Sequence, residues 1–157
     1  MFINKAEWFS KKITELQNSL YRIAFSILKN DMDAQDAVQE TIYKAYKNLD
    51  SLEYKNKFKP WIYKILTNTS YEIIKKKGEY VEINDNELES IQADVDTKLT
   101  LWDTVQKLPQ PYRTTITLFY YEDMSIKQIS KITNLKEDAI KKQLSRGRQK
   151  LKEVIEL

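Results

Sequence analysis

The stretch Ser125–Leu151, SIKQISKITNLKEDAIKKQLSRGRQKL, decides the fold. It reads as two short helices joined at Asn134. Ser125 and Gln128 have the spacing of a capping box, with serine as N-cap and glutamine at N3. Ile126, Ile129 and Ile132 form an apolar stripe behind that cap. Ser130 is small, as a close helix crossing requires. Asn134 stands where the turn needs a left-handed residue, a conformation that asparagine tolerates better than most. Asn134 and Glu137 have the spacing of a second, looser capping box. Ile140, Leu144, Gly147 and Leu151 then recur at steps of four, three and four, one face of a helix. The other face holds Lys141, Lys142, Arg146, Arg148 and Lys150. This is the pattern of a helix-turn-helix whose second helix enters the DNA major groove. The competing reading is an ordinary helical hairpin with a solvated basic side.

Composition narrows the remainder. The chain has 157 residues, 41% of them apolar, enough for a core in one domain or two small ones. Two glycines and three prolines are too few for a sandwich or barrel with many tight turns. Helical periods dominate, so an all-α protein is expected. Cysteine and histidine are absent, which removes disulfides, zinc fingers and Ser-His or Cys-His catalysis. No apolar run approaches membrane-spanning length, and the N-terminus lacks the pattern of a signal peptide. A cytoplasmic protein without membrane insertion, cofactor, metal or small-molecule substrate is expected.

The net charge of +3 conceals a pattern. Residues 1–77 carry 14 Lys/Arg against 9 Asp/Glu, and residues 98–157 carry 12 against 7, a net +5 in each block. Between them, residues 78–97 carry 7 Asp/Glu and no Lys/Arg, a net −7. This segment, GEYVEINDNELESIQADVDT, has no clear period and reads as a flexible acidic linker between two helical domains.

The N-terminal block divides into helices. Ile13, Leu16, Leu20, Ile23, Ala24, Ile27 and Leu28 give a helical stripe up to Asn30. A polar turn, Asp31-Met32-Asp33, follows, and a second helix is expected to start at Asp33, with acids in a first turn that the helix dipole favours. Val38, Ile42, Ala45 and Leu49 continue it. After a lysine-bearing loop, Asp50–Lys59, Pro60 opens a third helix, a favoured place for proline. That helix ends in Lys75-Lys76-Lys77. The acids Asp31, Asp33, Asp36 and Glu40 do not have the spacing of an EF-hand loop. Asp36, Gln39 and Glu40 share a face opposite Val38 and Ile42, either simply solvated or a docking surface for a basic partner.

Two runs carry a resemblance to a known family. DAQDAVQETIYKAYKNL, residues 33–49, with FKPWIYKILTN, residues 58–68, and the basic tail after it resembles region 2 of bacterial sigma factors. LPQPYRTTITLFYYEDMSIKQISKITNLKEDAIKKQLSRGRQKL, residues 108–151, resembles region 4. With no large domain between them, the chain is similar to the extracytoplasmic-function (ECF) group. The resemblance implies region 2 over residues 1–77, a linker over 78–97 and region 4 over 98–157.

It also implies roles. Asp36, Gln39 and Glu40 match the surface that grips the β′ clamp helices of core RNA polymerase. The Asp50–Lys59 loop matches the part that melts the minus-ten element and captures an unstacked base, with Lys57, Phe58, Trp61, Lys64 and Asn68 as its DNA contacts. The minus-35 reader spans Lys136–Arg148, with Lys136, Asp138, Ala139, Lys141, Lys142, Gln143, Arg146 and Arg148 as its contacts. The implied partners are core polymerase (β′ clamp helices and β flap), promoter DNA and an anti-sigma factor, which can hold the chain at the membrane. The linker would thread toward the RNA exit channel. The polymerase supplies the chemistry, so this chain is not expected to be an enzyme.

Where relatives commonly carry Thr-Val-Lys-Ser-Arg, this chain carries Ala139-Ile140-Lys141-Lys142-Gln143. A methyl at Ala139 suits a thymine methyl, and an amide at Gln143 suits adenine. The alternative function is a free-standing helix-turn-helix repressor. It would need a dimerisation face, and none is evident after Leu151. A metal-dependent nuclease built on the acids of the second helix is a remote third reading.

Overall fold

A computed structural model describes residues 4–78 and 100–155 of the chain. All but the first residue of the acidic linker 78–97 therefore lies outside the described residues. The chain divides into two compact units, Met1–Ile73 and Ile74–Leu157. Both are helical, with no strand among the described residues.

The first unit is built on three helices, α1 (Lys5–Leu28), α2 (Asp31–Lys47) and α3 (Phe58–Lys77), of which the last turn of α3, residues 74–77, falls past the unit boundary. Asn4 caps α1, its side-chain oxygen accepting from the Glu7 amide at 2.8 Å. Lys29 ends α1 in the left-handed conformation, φ 51°, and its amide donates to the Phe25 carbonyl at 2.8 Å. Asn30 is already the N-cap of α2, accepting from the Asp33 amide at 2.9 Å. So short a connection folds α2 back against α1. The expected start at Asp33 is corrected here: Asp31-Met32-Asp33 is the first turn of α2, because Asn30 supplies the cap.

Between these helices lies a core of Leu20, Ile23, Ala24 and Ile27 from α1 with Ala34, Ala37, Val38 and Ala45 from α2. Three alanines on α2 leave room for the large α1 side chains. Ile62, Tyr63 and Leu66 of α3 complete it, each fully buried. Burying each large apolar side chain contributes about 1.5–3 kcal/mol. The expected loop before α3 is instead two 3₁₀ turns, Leu49–Ser51 and Lys55–Lys57. The helix begins at Phe58, two residues before Pro60. The proline still lies in the first turn, where backbone N–H groups have no intrahelical acceptor.

The second unit holds α4 (Leu101–Gln106), α5 (Tyr112–Ile116), α6 (Ile126–Thr133) and α7 (Glu137–Ile155). A π-helical segment, Thr117–Tyr121, extends α5, with the Glu122 amide donating to the Thr117 carbonyl five residues back. Thr100 and Asp103 form a capping box on α4. The box expected at α6 is present in both directions: the Gln128 amide donates to Ser125 Oγ at 3.1 Å, and the Ser125 amide to Gln128 Oε1 at 2.9 Å.

Asn134 ends α6 at φ 58°. The Ser130 carbonyl accepts from the Leu135 amide at 3.1 Å, and the Ser130 hydroxyl donates to the Leu135 carbonyl. The second capping box expected at Asn134 and Glu137 does not form. Asn134 is spent as the left-handed terminator of α6, and α7 starts only at Glu137. Gly147 of α7 packs against α5. A Cβ there would stand 3.0 Å from Ile116 Cγ1 and 3.4 Å from Tyr112 Cβ, so the closeness of the two helices depends on glycine.

Candidate nucleic-acid and polymerase surfaces

On α7, Ile140, Leu144 and Gly147 face inward and are buried. One helical face away stand Asp138, Lys142, Ser145, Arg146 and Gln149, all exposed. Lys141 is exposed on the flank of that face, and Lys136 is exposed just before the first turn. This is a cationic outward face anchored by a buried inward one, the geometry a groove-reading helix needs. Ser145 and Gln149 share this exposed face, as their spacing from Lys142 and Arg146 dictates, and were not among the expected contacts.

Three expected reading residues sit differently. Gln143 is half-buried, and its Oε1 accepts from Thr115 Oγ1 at 2.7 Å, so its amide is oriented from inside the unit. Ala139 is half-buried. The Arg148 guanidinium lies 5.9 Å from the ring centres of both Phe119 and Tyr120, away from the outward face. Its aromatic neighbours draw it there by cation–π attraction. Lys150 likewise lies 5.7 Å from the Tyr112 ring. Beside Arg148 is an apolar groove of about 580 Å³, lined among others by Leu101, Ile116, Tyr120, Leu151 and Ile155. Leu101, Tyr120 and Ile155 are exposed there.

In the first unit, Asp36, Gln39 and Glu40 are exposed on one side of α2, while Ala34, Ala37, Val38 and Thr41 are buried on the other. Glu40 is tied to its own unit through Lys44 Nζ at 3.4 Å. Lys44 also reaches Glu72 and Thr69 of α3, both at 3.2 Å. Burial pulls the Lys44 ammonium down, but hydrogen bonds and charge from Glu72 and Glu40 outweigh it and leave its pKa raised. Met32 and Tyr43 are exposed at 74% and 67% and bracket the acids at helical spacing. The α2 face is thus acidic at its centre with an apolar side chain at each end. Among the described residues no group of three or more acids has metal-ligating geometry.

The minus-ten expectation divides. Trp61 is half-buried, and Lys64 and Asn68 are exposed at successive turns of the same α3 face, which continues to exposed Tyr71 and Lys75. Lys57 is exposed, its Nζ 5.4 Å from the Tyr54 ring. Phe58 is a correction. It is 2% exposed and packs against Trp8, Phe9 and Trp61 at ring distances of 5.3, 5.9 and 5.8 Å, so it is core and not a stacking surface. The first residue after a polar loop is where a buried anchor fixes the helix start, and sequence spacing cannot separate that role from an exposed ring.

The geometry defines a two-unit helical protein with a helix-turn-helix in its second unit and a basic, partly aromatic helix face in its first. The family profile described as "Sigma-70 region 2" matches residues 13–79, and "Sigma-70, region 4" matches residues 98–151. The chain is 32% identical over 138 residues to the RNA polymerase sigma factor SigV of Bacillus subtilis (strain 168), covering 86% of this chain and 83% of that one. It is 32% identical over 143 residues to the ECF RNA polymerase sigma factor SigM of the same organism, covering 86% and 87%. In fold it is similar to the sigma factor RpoE, solved with the anti-sigma factor NepR from Bartonella quintana. That likeness has a TM-score of 0.75 at 23% identity and covers 95% of this chain and 97% of that one. The chain belongs to the ECF RNA polymerase sigma factors, initiation subunits that direct core polymerase to particular promoters.

Proposed function

We propose that this sigma factor divides its task among three helix faces. The α2 face of Met32, Asp36, Gln39, Glu40 and Tyr43 docks on the β′ clamp helices. The α3 face of Trp61, Lys64 and Asn68, with Lys57 before it, holds the opened minus-ten element, and Lys75–Lys77 bind its phosphates. The outward face of α7, centred on Asp138, Lys142, Ser145 and Arg146, reads the minus-35 element. Lys136 and Lys141 support it, and Ala139 and Gln143 approach from its margin.

The observation that carries this reading is the sorting of charge by helix. Of the faces assigned to DNA, that of α3 presents lysine and asparagine and that of α7 presents lysine, arginine and glutamine beside Asp138, whereas the face assigned to protein presents carboxylates between two exposed apolar residues. Phosphate contacts of this kind position a protein, whereas base-edge contacts specify sequence.

The apolar groove of the second unit, rimmed by Arg148 and Lys152, supports a seat for the β flap. An anti-sigma factor would act by covering the α2 and α7 faces together. The acidic linker 78–97 would enter the RNA exit channel as a mimic of nucleic acid. The factor itself performs no catalysis and works where the polymerase does, in the cytoplasm, including when an anti-sigma factor holds it at the membrane.

Core polymerase separates this reading from a free-standing repressor. A sigma factor binds core tightly, binds promoter DNA poorly alone and supports run-off transcription only in the holoenzyme. Tight, core-independent binding to an operator, with no transcription from added core, would overturn it.

A further inference from the structure

Arg148 stands between two surfaces of the second unit that have different partners. On one side it rims the apolar groove with Tyr120 and Lys152. On the other it borders the outward face of α7. It follows Lys141 by seven residues and Ser145 by three, which puts it on the flank of the first and next to the second. We propose that Arg148 couples the two surfaces: filling the groove moves its guanidinium onto a phosphate of minus-35 DNA, so that groove partner and promoter tighten each other's binding. The inference rests on the groove and α7 assignments of the function proposed above and adds the link between them.

With the groove open, the guanidinium rests 5.9 Å from the ring centres of both Phe119 and Tyr120. Those rings meet edge to face, 4.9 Å apart at 76°, in the π-helical segment. They hold the cation without neutralising it. Among the described residues no carboxylate pairs with Arg148. That arrangement is stable while water reaches it, and Arg148 and Tyr120 are both exposed.

An apolar partner in the groove reverses the balance. It competes for the exposed Tyr120 ring and strips water from the guanidinium beside it. A desolvated cation without a counter-charge is costly, and a cation–π contact at the surface is too weak to offset that cost. The long side chain therefore turns to the open side of α7. There a backbone phosphate supplies the missing charge and accepts two hydrogen bonds from the planar guanidinium. The coupling is reciprocal: DNA that holds Arg148 bares Tyr120 for the groove partner, and the two affinities change by the same factor.

The test uses the full chain, with a purified fragment of the β flap tip as the probe of the groove. Anisotropy follows binding of a fluorescent duplex carrying a minus-35 element that the holoenzyme uses, with the fragment absent and saturating. The fragment should tighten duplex binding about fivefold, at the lower end of ordinary coupling, and steepen the salt slope by about one phosphate contact. Arg148→Gln should lose several-fold more duplex affinity with the fragment bound than without it. Phe119→Leu removes one of the two rings and spares the groove, whose lining does not include Phe119. It should tighten duplex binding in the absence of the fragment, a gain that a purely structural role for the ring does not give. Thermal unfolding checks that this variant folds. Equal losses in both states for Arg148→Gln would reduce the residue to a plain phosphate contact and overturn the coupling, whatever Phe119→Leu does. If the fragment does not bind the wild-type chain, the groove assignment of the proposed function fails first and the coupling with it. If the fragment binds and wild-type duplex affinity does not change, this inference alone fails.

Discussion

Gly147→Ala sets two effects of opposite sign against each other. In a free helix interior, alanine is favoured over glycine by about 0.8–1.0 kcal/mol. In α7 the added methyl would stand 3.0 Å from Ile116 Cγ1, 3.1 Å from Ile116 Cδ1 and 3.4 Å from Tyr112 Cβ. Carbon atoms pack best at about 3.5–4.0 Å, so α5 and α7 must separate by about half an ångström. Ile116 is 1% exposed and borders the apolar groove, so relief of the clash requires its side chain to leave a packed rotamer or α5 to shift. Overpacking of such a site costs about 1–3 kcal/mol. The clash outweighs the propensity gain, leaving a net destabilisation of about 1 kcal/mol and a drop of roughly 5 °C in the midpoint of the second unit. The assay is thermal unfolding followed through the amide resonances of α5 and α7, which isolates this unit from the first. Ile116→Val removes the Cδ1 atom and should recover part of the loss in a double-mutant cycle. A Gly147→Ala protein that melts at or above the wild-type temperature would refute the argument, because it would mean that α5 yields without cost.

Reversing both charges in Asp36→Lys with Glu40→Lys should abolish core-polymerase binding in a pull-down while leaving the helical circular dichroism unchanged. Both residues are exposed, and charge reversal at a desolvated interface costs several kcal/mol. Lys142→Ala should shift preference among minus-35 variants. Arg146→Ala should weaken holoenzyme binding to all of them alike and reduce the salt slope by about one, as loss of a phosphate contact does. Lys44→Met should cost under about 1 kcal/mol by urea titration, since the lysine is partly exposed. Because the folded state raises the Lys44 pKa, its contribution is fully present at neutral pH and is lost as the pH rises through the raised value. The gap between wild type and variant should therefore be constant near neutrality and close in strongly alkaline solution.

The helix-turn-helix was legible almost residue by residue because its signals are local. A serine and a glutamine three apart make a capping box wherever they start a helix, and an asparagine after an isoleucine stripe ends one. The exposed acidic face of α2 was legible for the same reason, since its acids follow the helical period. Burial of a single aromatic was not legible. Phe58 and Trp61 are three residues apart on one helix, yet one is core and the other half-exposed. What separates them is the start of α1, where Trp8 and Phe9 cover Phe58, some fifty residues away in sequence. The start of α2 was misplaced because Asn30 carries two plausible tasks, closing one helix or opening the next, and the left-handed turn at Lys29 decides between them.

The hydrogen bond from Thr115 to Gln143 has a consequence for how such a factor diverges. Thr115 is buried at 2% exposure, yet its hydroxyl donates to the Gln143 amide oxygen and so engages the acceptor end of that amide, leaving the nitrogen as its remaining hydrogen-bonding group. Under the proposed reading, an amide presented this way donates, and so favours base edges rich in acceptors over the two-way match that adenine offers. A mutation at Thr115 can therefore alter the promoters a lineage answers to without changing any residue on the DNA-facing surface. Drift in regulatory targets then need not be visible in the reading helix. Two paralogues with identical α7 sequences can part company through their interiors.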